Sequence, residues 1–299
     1  MLNPHHLQTL RTVLRTGSFA LGAKELGYSG SAVSQQIAAL ETATGLTLFE
    51  RSARSVRPTP AALAMLDRTE AVLAELRALE REAKDLARGQ RGVLRIGSFP
   101  TANARILPAA VAAFQEQAPA AEVHLTEGEP TDLLPRLLDG ELDVALVYRY
   151  DHVPWEPPDA LTAVDLLQEE LLLLQRSDRP TPRGREFTLE DLRHLHGRPF
   201  VAPLPGAAGA LCLERICAAA GFAPRIAFRS NDYAVIAGFV AQGLGVALVP
   251  SLAYRQQDGV SANPVAPKTT HRHLMALFRP RSYQPLRDTF LMELRRSTC

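Results

Sequence analysis

Residues 27–51 read GYSGSAVSQQIAALETATGLTLFER. Val33, Ile37 and Leu40 recur at helical spacing, which predicts a helix over about 30–41 or a little beyond. The opposite face carries Gly30, Ser31, Ser34 and Gln35, with Gln36 at its side and Ser29 ahead as an N-cap. Solvated helix faces usually carry Lys and Glu; this one is small, uncharged and rich in hydrogen-bonding groups. Such a front lets a helix backbone approach DNA, where Ser and Gln bond base edges and phosphates. A solvated Ser/Gln face in an ordinary small bundle has the same composition, so the flanking sequence decides.

Upstream, Leu7, Leu10, Val13 and Leu14 make one apolar helical stripe that ends at Gly17. Ser18 then caps FALGAKELG, whose inward residues are Phe19, Ala23 and Leu26. Two short helices joined through Gly27 and Tyr28 form a helix-turn-helix. Downstream, a short apolar strand at 46–49 precedes Arg51, Arg54 and Arg57, spaced by three. A loop of this kind forms a wing whose arginines lie along phosphates. A plain charged loop is the competing reading. Residues 1–60 hold six basic side chains against three acidic ones, while the whole chain has a net charge of only +1. The basic excess at the head agrees with a nucleic-acid partner.

Over GSFALGAKELGYSGSAVSQQIAALETATGLTLFERSARSVRPTPAA the chain resembles the LysR-type transcriptional regulators. The matching features are GSF, the Ala23 and Leu26 pair, SxSAVSQQIxxLE, GxxLFER and the passage from the arginines through Thr-Pro into a long helix. Gly30 stands where the family often has a base-contacting Gln, and Pro58 and Ala62 replace its usual Leu and Gly. The resemblance implies DNA binding through Ser29, Gly30, Ser31, Ser34, Gln35, Gln36, Arg51, Arg54 and Arg57. It implies a homodimer or homotetramer on double-stranded operator DNA, a small-molecule effector, and RNA polymerase as a further partner.

Thr59 caps a run over about 60–88, with Pro60 at the first helical position. Leu66, Leu73, Leu76, Leu79, Ala83 and Leu86 recur close to a heptad seam, which predicts a two-helix dimer interface. GQRG at 89–92 is a hinge. Beyond it, strand and helix patterns alternate, which predicts an α/β sheet. The expected organisation is a winged helix-turn-helix at 1–58, a linker at 59–91 and a two-lobe body at 92–299. The first lobe would take about 92–164 plus 267–299 and the second about 165–266. This fold class, an α-rich head with a two-lobe α/β body, is similar to the family's effector domain and to type 2 periplasmic binding proteins.

In open α/β sheets ligands sit beyond the carboxyl ends of strands, near helix N-termini. Those ends supply Ser98, Phe99, Pro100, Thr101, Thr126, Thr131, Tyr148, Ala202, Pro203 and Asn231 as effector-binding candidates. Ser98 and Thr101 carry hydroxyls at a helix start and suit a carboxylate, although plain helix capping explains them equally well. Asp232 reads as a cap.

The 299 residues are 46% hydrophobic and 22% charged, an ordinary globular balance. No apolar run approaches the roughly 18 residues of a membrane span. The opening MLNPHHLQTLRTVLRTG has no apolar h-region, so the expectation is a cytoplasmic protein without a signal peptide. Cys212, Cys217 and Cys299 make no disulfide framework or metal spacing. His194, His196, His271 and His273 alternate on separate segments without metal-ligand spacing, and His5 and His6 read as solvated. No G-x-S-x-G, P-loop or dinucleotide fingerprint is present, so the reading is a regulator with no enzymatic activity, metal or cofactor. The competing function is a cytosolic solute-binding protein without DNA binding.

Overall fold

The computed structural model describes residues 1–51, 56–87, 92–177, 186–266, 270–280 and 284–298. The head is three helices, α1 (Pro4–Thr16), α2 (Phe19–Leu26) and α3 (Gly30–Thr44), and a small antiparallel pair, β1 (Phe49–Arg51) and β2 (Val56–Pro58). Each helix starts on a side-chain cap: Asn3 accepts from His5 N–H, Ser18 from Leu21 N–H and Ser29 from Ala32 N–H. Each ends on a left-handed glycine, Gly17, Gly27 or Gly45, with φ between 67° and 70°. A Cβ on Gly22 would stand 3.1 Å from Val13 Cγ2, so α1 and α2 cross closely there. Leu7, Leu10, Val13, Ala23, Val33, Ile37 and Leu40 fill the core beneath.

The wing strand begins later than the sequence suggests. Leu46 lies 41% exposed after the end of α3, and pairing starts only at Phe49. Glu41 sets that offset, since its Oε1 accepts from Leu48 N–H at 2.7 Å and Phe49 N–H at 3.2 Å. Thr59 then caps α4 (Pro60–Ala87) by accepting from Ala62 N–H. The apolar stripe of α4 divides. Leu73 turns into the head core, Leu66 and Leu76 are half-buried, and Leu79 is 60% exposed. Leu63 and Val72 are exposed beside it. The side chain of Leu86, and Arg88 itself, lie outside the described residues.

The body runs β3 (Val93–Ser98), α5 (Pro100–Arg105), α6 (Leu107–Gln117), β4 (Glu122–Glu127), α7 (Pro130–Leu138), β5 (Val144–Tyr150) and β6 (Thr162–Arg176). It continues with α8 (Leu189–Arg193), β7 (Pro199–Ala202), α9 (Ala208–Ala219), β8 (Arg225–Arg229), α10 (Tyr233–Ala241), β9 (Ala247–Pro250), β10 (Val260–Pro264), β11 (His271–Phe278) and α11 (Pro285–Arg296). The sequence reads 101–118 as one helix. The structure breaks it at Ile106, because Pro108 has no N–H to continue the ladder.

The main sheet has the order β10-β6-β11-β5-β3-β4, with β9 also on β6. β3 lies parallel to both β4 and β5, and β11 is antiparallel to β5 and β6. β6 serves two partners in succession: residues 162–170 pair with β11, then 171–176 pair with β9 and β10. β7 and β8 pair in parallel and join β9 through a bridge between Phe200 and Val246. Leu133, Leu137, Val147 and Met275 pack one face of the sheet beside α7. Leu172, Val201, Ile236 and Val240 pack around α10. The largest core links both halves, from Phe114 and Phe290 to Phe200 and Leu213.

Candidate DNA-binding surface and effector cleft

Gly30, Ser31 and Gln35 lie exposed at the front of α3, and Ser34 is half-buried beside them. The Ser29 hydroxyl caps the helix and shares a 2.9 Å hydrogen bond with the Ser31 hydroxyl. A Cβ on Gly30 would meet nothing within 4 Å, so the glycine opens space rather than relieving a clash. Gln36 behaves differently. Its carbonyl oxygen accepts from the buried Thr9 hydroxyl at 2.5 Å, which ties α3 to α1. Gln36 thus links this face to the head packing, and its NH₂ is left to donate. Arg57 is exposed on β2. Arg54 and the side chain of Arg51 lie outside the described residues. Tyr28, in the turn that the sequence places before Ser29, is 44% exposed.

The body holds a cleft lined by Phe99, Pro100, Thr101, Tyr148, Pro203 and Asn231, six of the ten sequence candidates. Ser98, Thr126, Thr131 and Ala202 do not line it. Ser98 is fully buried, its hydroxyl without a hydrogen-bond partner among the described residues, and Ala202 is buried in β7. Thr126 is half-buried within β4, and Thr131 is exposed on α7. Glu129, from the strand end at 126–131, lines it as well, while Ala207, Gly209, Tyr233 and Arg272 complete the lining and were missed. The free space is about 20 Å³, room for about one water before the walls part.

Arg272 is the centre of the site. It is 1% exposed, and its Nε donates to Glu169 Oε1 at 2.6 Å while Nη2 donates to Thr101 Oγ1 at 2.8 Å. The guanidinium carbon lies 5.2 Å from the Phe99 ring centre and 5.0 Å from that of Tyr148, both within cation–π range. Glu169 is equally committed, since its Oε2 accepts from Leu252 N–H at 2.6 Å and the Ser251 hydroxyl at 3.2 Å. The Tyr148 hydroxyl donates to Glu129. Burial, then the charge of Glu129, pushes the Tyr148 pKa well above its usual value, so the phenol stays a donor. Asn231 Oδ1 accepts from Leu204 N–H, and Asp232 caps α10 through Ala234 N–H, as its sequence position suggests.

Residues 87–298 match the family described as "LysR substrate binding domain", and residues 4–63 match "Bacterial regulatory helix-turn-helix protein, lysR family". The chain belongs to the LysR family. It is 27% identical over 285 residues to the uncharacterized HTH-type transcriptional regulator YybE of Bacillus subtilis, covering 95% of each chain. It is 28% identical over 296 residues to the DNA-binding transcriptional dual regulator OxyR of Escherichia coli, covering 97% of this chain and 92% of that one. Among solved structures it is similar to full-length CbnR complexed with its target DNA, with 25% identity, a TM-score of 0.56 and 99% of both chains covered. The two matched segments make this LysR-type regulator a DNA-binding head joined to an effector-binding body.

In this LysR-type chain one helix connects the two candidate sites. Glu129 on the cleft wall is the N-cap of α7. Asp139 at the other end accepts from Arg11 of α1 at 2.6 Å and from Arg77 of α4 at 2.8 Å. Arg77 Nε also donates to the Asp139 carbonyl, and Arg81 donates to that of Gly140. Gly140 has φ +73°, and a Cβ there would stand 2.9 Å from the Ala74 carbonyl oxygen. Cleft, α7, linker and head therefore form one continuous path.

Among the described residues no helix is long and apolar enough to cross a membrane, and no cluster of His, Cys, Asp or Glu is placed to hold a metal ion. A cavity of about 960 Å³ lies away from the cleft, between α4 and the body. Val72, Leu76, Leu79, Leu138 and Leu286 give it an apolar lining. Charged side chains, the buried Asp143 and Arg279 among them, share that lining. The Arg272 cleft stays the candidate ligand site because it lies beyond the strand ends, where ligands of open α/β sheets sit.

Proposed function

We propose that this LysR-type regulator reads operator DNA with Ser29, Gly30, Ser31, Ser34, Gln35 and the wing arginines, and binds its effector in the Arg272 cleft. In this reading 1–58 is the head, 59–91 the linker and 92–299 the body, its lobes dividing at about 164 and 266. The protein works in the cytoplasm without catalysis. The observation that carries the reading is an exposed, uncharged α3 front on a head joined through α7 to a polar cleft. An effector that favours one arrangement of the cleft shifts the population of head positions.

The DNA contacts are tested by gel shift. Arg57→Ala is expected to weaken operator and random duplex about equally and to reduce the salt slope by about one unit. Gln35→Ala is expected to weaken the operator selectively, by about 1–3 kcal/mol if its base contact is bidentate. Unchanged binding by both variants would remove α3 and the wing from the interface. A solute-binding protein without regulatory function would give no operator shift at all.

The exposed Leu63, Val72 and Leu79 support self-association through α4, as a homodimer or a homotetramer. A second linker helix fits the apolar cavity beside Leu76 and Leu79. Leu79→Asp places a charge in that contact. Sedimentation of the variant is expected to show a smaller species than wild type, and an unchanged mass would place the stripe elsewhere.

Several relatives are named as hydrogen peroxide-inducible genes activators, which raises thiol sensing as a second reading. Cys212 and Cys217 oppose it. Both are buried on α9, and burial pushes both thiols up to about 12. Reactive cysteines are exposed thiolates with lowered pKa. Five positions apart on one helix, they point in different directions. Peroxide treatment followed by denaturing mass spectrometry is expected to leave both as free thiols, and a disulfide between them would revive the redox reading.

A further inference from the structure

The charges lining the cleft do not balance. Arg272 is neutralised inside the wall by Glu169, whose oxygens are held by Arg272, Leu252 and Ser251. Glu129 has no cationic partner among the described residues; its wall-side contact is the Tyr148 hydroxyl. A carboxylate held half-buried beside an aromatic ring, without a cation, is a place for a positive group.

The facing wall offers the opposite. The first N–H groups of a helix have no acceptor within it. Ala207, the N-cap of the 12-residue α9, supplies no side-chain cap, and it lines the cleft together with Gly209, so the positive end of the helix dipole lies at that wall. Asn231 has its carbonyl engaged by Leu204 N–H, which leaves its NH₂ to donate. The Thr101 hydroxyl accepts from Arg272 and retains its own proton for a further bond.

We propose that the effector is a small zwitterion, its ammonium against Glu129 and its carboxylate against the α9 N-terminus and Asn231, with Arg272 and Thr101 behind. This rests on the reading of the cleft as the effector site. A plain carboxylic acid meets repulsion from Glu129, and a plain amine leaves the α9 donors unfilled. The free space of about 20 Å³ holds only about one water, so the walls must part for any such ligand, and the small amino acids alanine, serine and threonine ask the least opening.

Calorimetric titration of the full chain tests this with L-alanine, L-serine and L-threonine beside propionate and lactate, which lack the ammonium, and ethylamine, which lacks the carboxylate. At least one amino acid is expected to bind, with the acids and the amine tenfold weaker or more. Glu129→Gln is expected to weaken that amino acid at least tenfold. No binding by any of the three, or propionate binding as tightly as alanine, overturns the zwitterion.

Two blocking variants separate this from the reading of the cleft itself. Gly209→Leu fills the space, because a Cβ there already stands 3.2 Å from Pro203 Cγ and 3.3 Å from the Tyr150 hydroxyl. Asn231→Leu blocks the exposed rim and serves if Gly209→Leu does not fold. Amino-acid binding that survives both variants unchanged places the ligand elsewhere and removes the effector-site reading too. Propionate binding that equals alanine in wild type and vanishes in the blocked variants keeps the cleft and removes only the zwitterion.

Discussion

Arg272→Met is expected to destabilise the protein by about 3–5 kcal/mol, because it leaves the carboxylate of Glu169 buried without its cation. Glu169 is 5% exposed and lies between β11 and the 3₁₀ turn Ser251–Ala253. The same change removes a donor from Thr101 and the cation from between the Phe99 and Tyr148 rings. Equilibrium unfolding in urea measures it as a fall in midpoint. The double variant Arg272→Met with Glu169→Leu is expected to recover most of the loss, since an apolar pair of similar volume replaces an ion pair at little net cost. A single-variant loss below about 1 kcal/mol would mean that the pair is hydrated and weak, and the cleft would then be a looser site than its geometry implies.

Gly140→Val is expected to open the seam between linker and body. Its φ of +73° is left-handed, which disfavours a β-branched residue by about 1–2 kcal/mol. The added side chain also meets the Ala74 carbonyl, and forced overpacking of this kind typically costs about 1–3 kcal/mol. Operator binding is expected to persist, because the head core does not include this loop. The effector's influence on operator affinity is expected to fall toward none, since α7 no longer holds Arg11 and Arg77. Asp139→Ala provides the mild comparison: its pairs are partly exposed, so little stability is lost while the link from α7 to the head is still cut. Full effector response in both variants would show that the signal does not run through α7.

The head was the most legible part of the sequence because its information is local. Ser18, Ser29, Gly17 and Gly27 punctuate helices whose apolar residues repeat every three or four positions, and both caps and boundaries follow from neighbours in the chain. The β–α alternation of the body was legible for the same reason. The cleft was less so. Thr101 and Tyr148 follow from the rule that strand ends line ligand sites, but Ser98 obeys the same rule and points into the interior instead. Arg272 sits in HRHLMALF, where alternation alone reads a charged residue as solvent-facing. Its partner Glu169 is 103 positions away, and only the pairing of β11 with β6 brings them together. Nothing in α3 reveals that the Gln36 carbonyl also accepts from Thr9 of α1. Local pattern carries elements and faces; commitments between distant side chains appear only with the packed fold.

The position of β11 between β5 and β6 has a consequence for how the polypeptide acquires its shape during synthesis. Residues 271–278 supply the strand that joins β5 to β6, and Phe290 of α11 packs edge-on against Phe114 of α6 at 5.9 Å. Domains fold as units as the chain emerges. The three-helix head needs only early residues and folds while the ribosome is still translating the body. The body stays without a central strand until more than nine-tenths of the 299 residues have been made. A nascent chain therefore carries a finished DNA-reading head beside an open sheet edge, and pulse proteolysis of stalled chains would show the head protected long before the body.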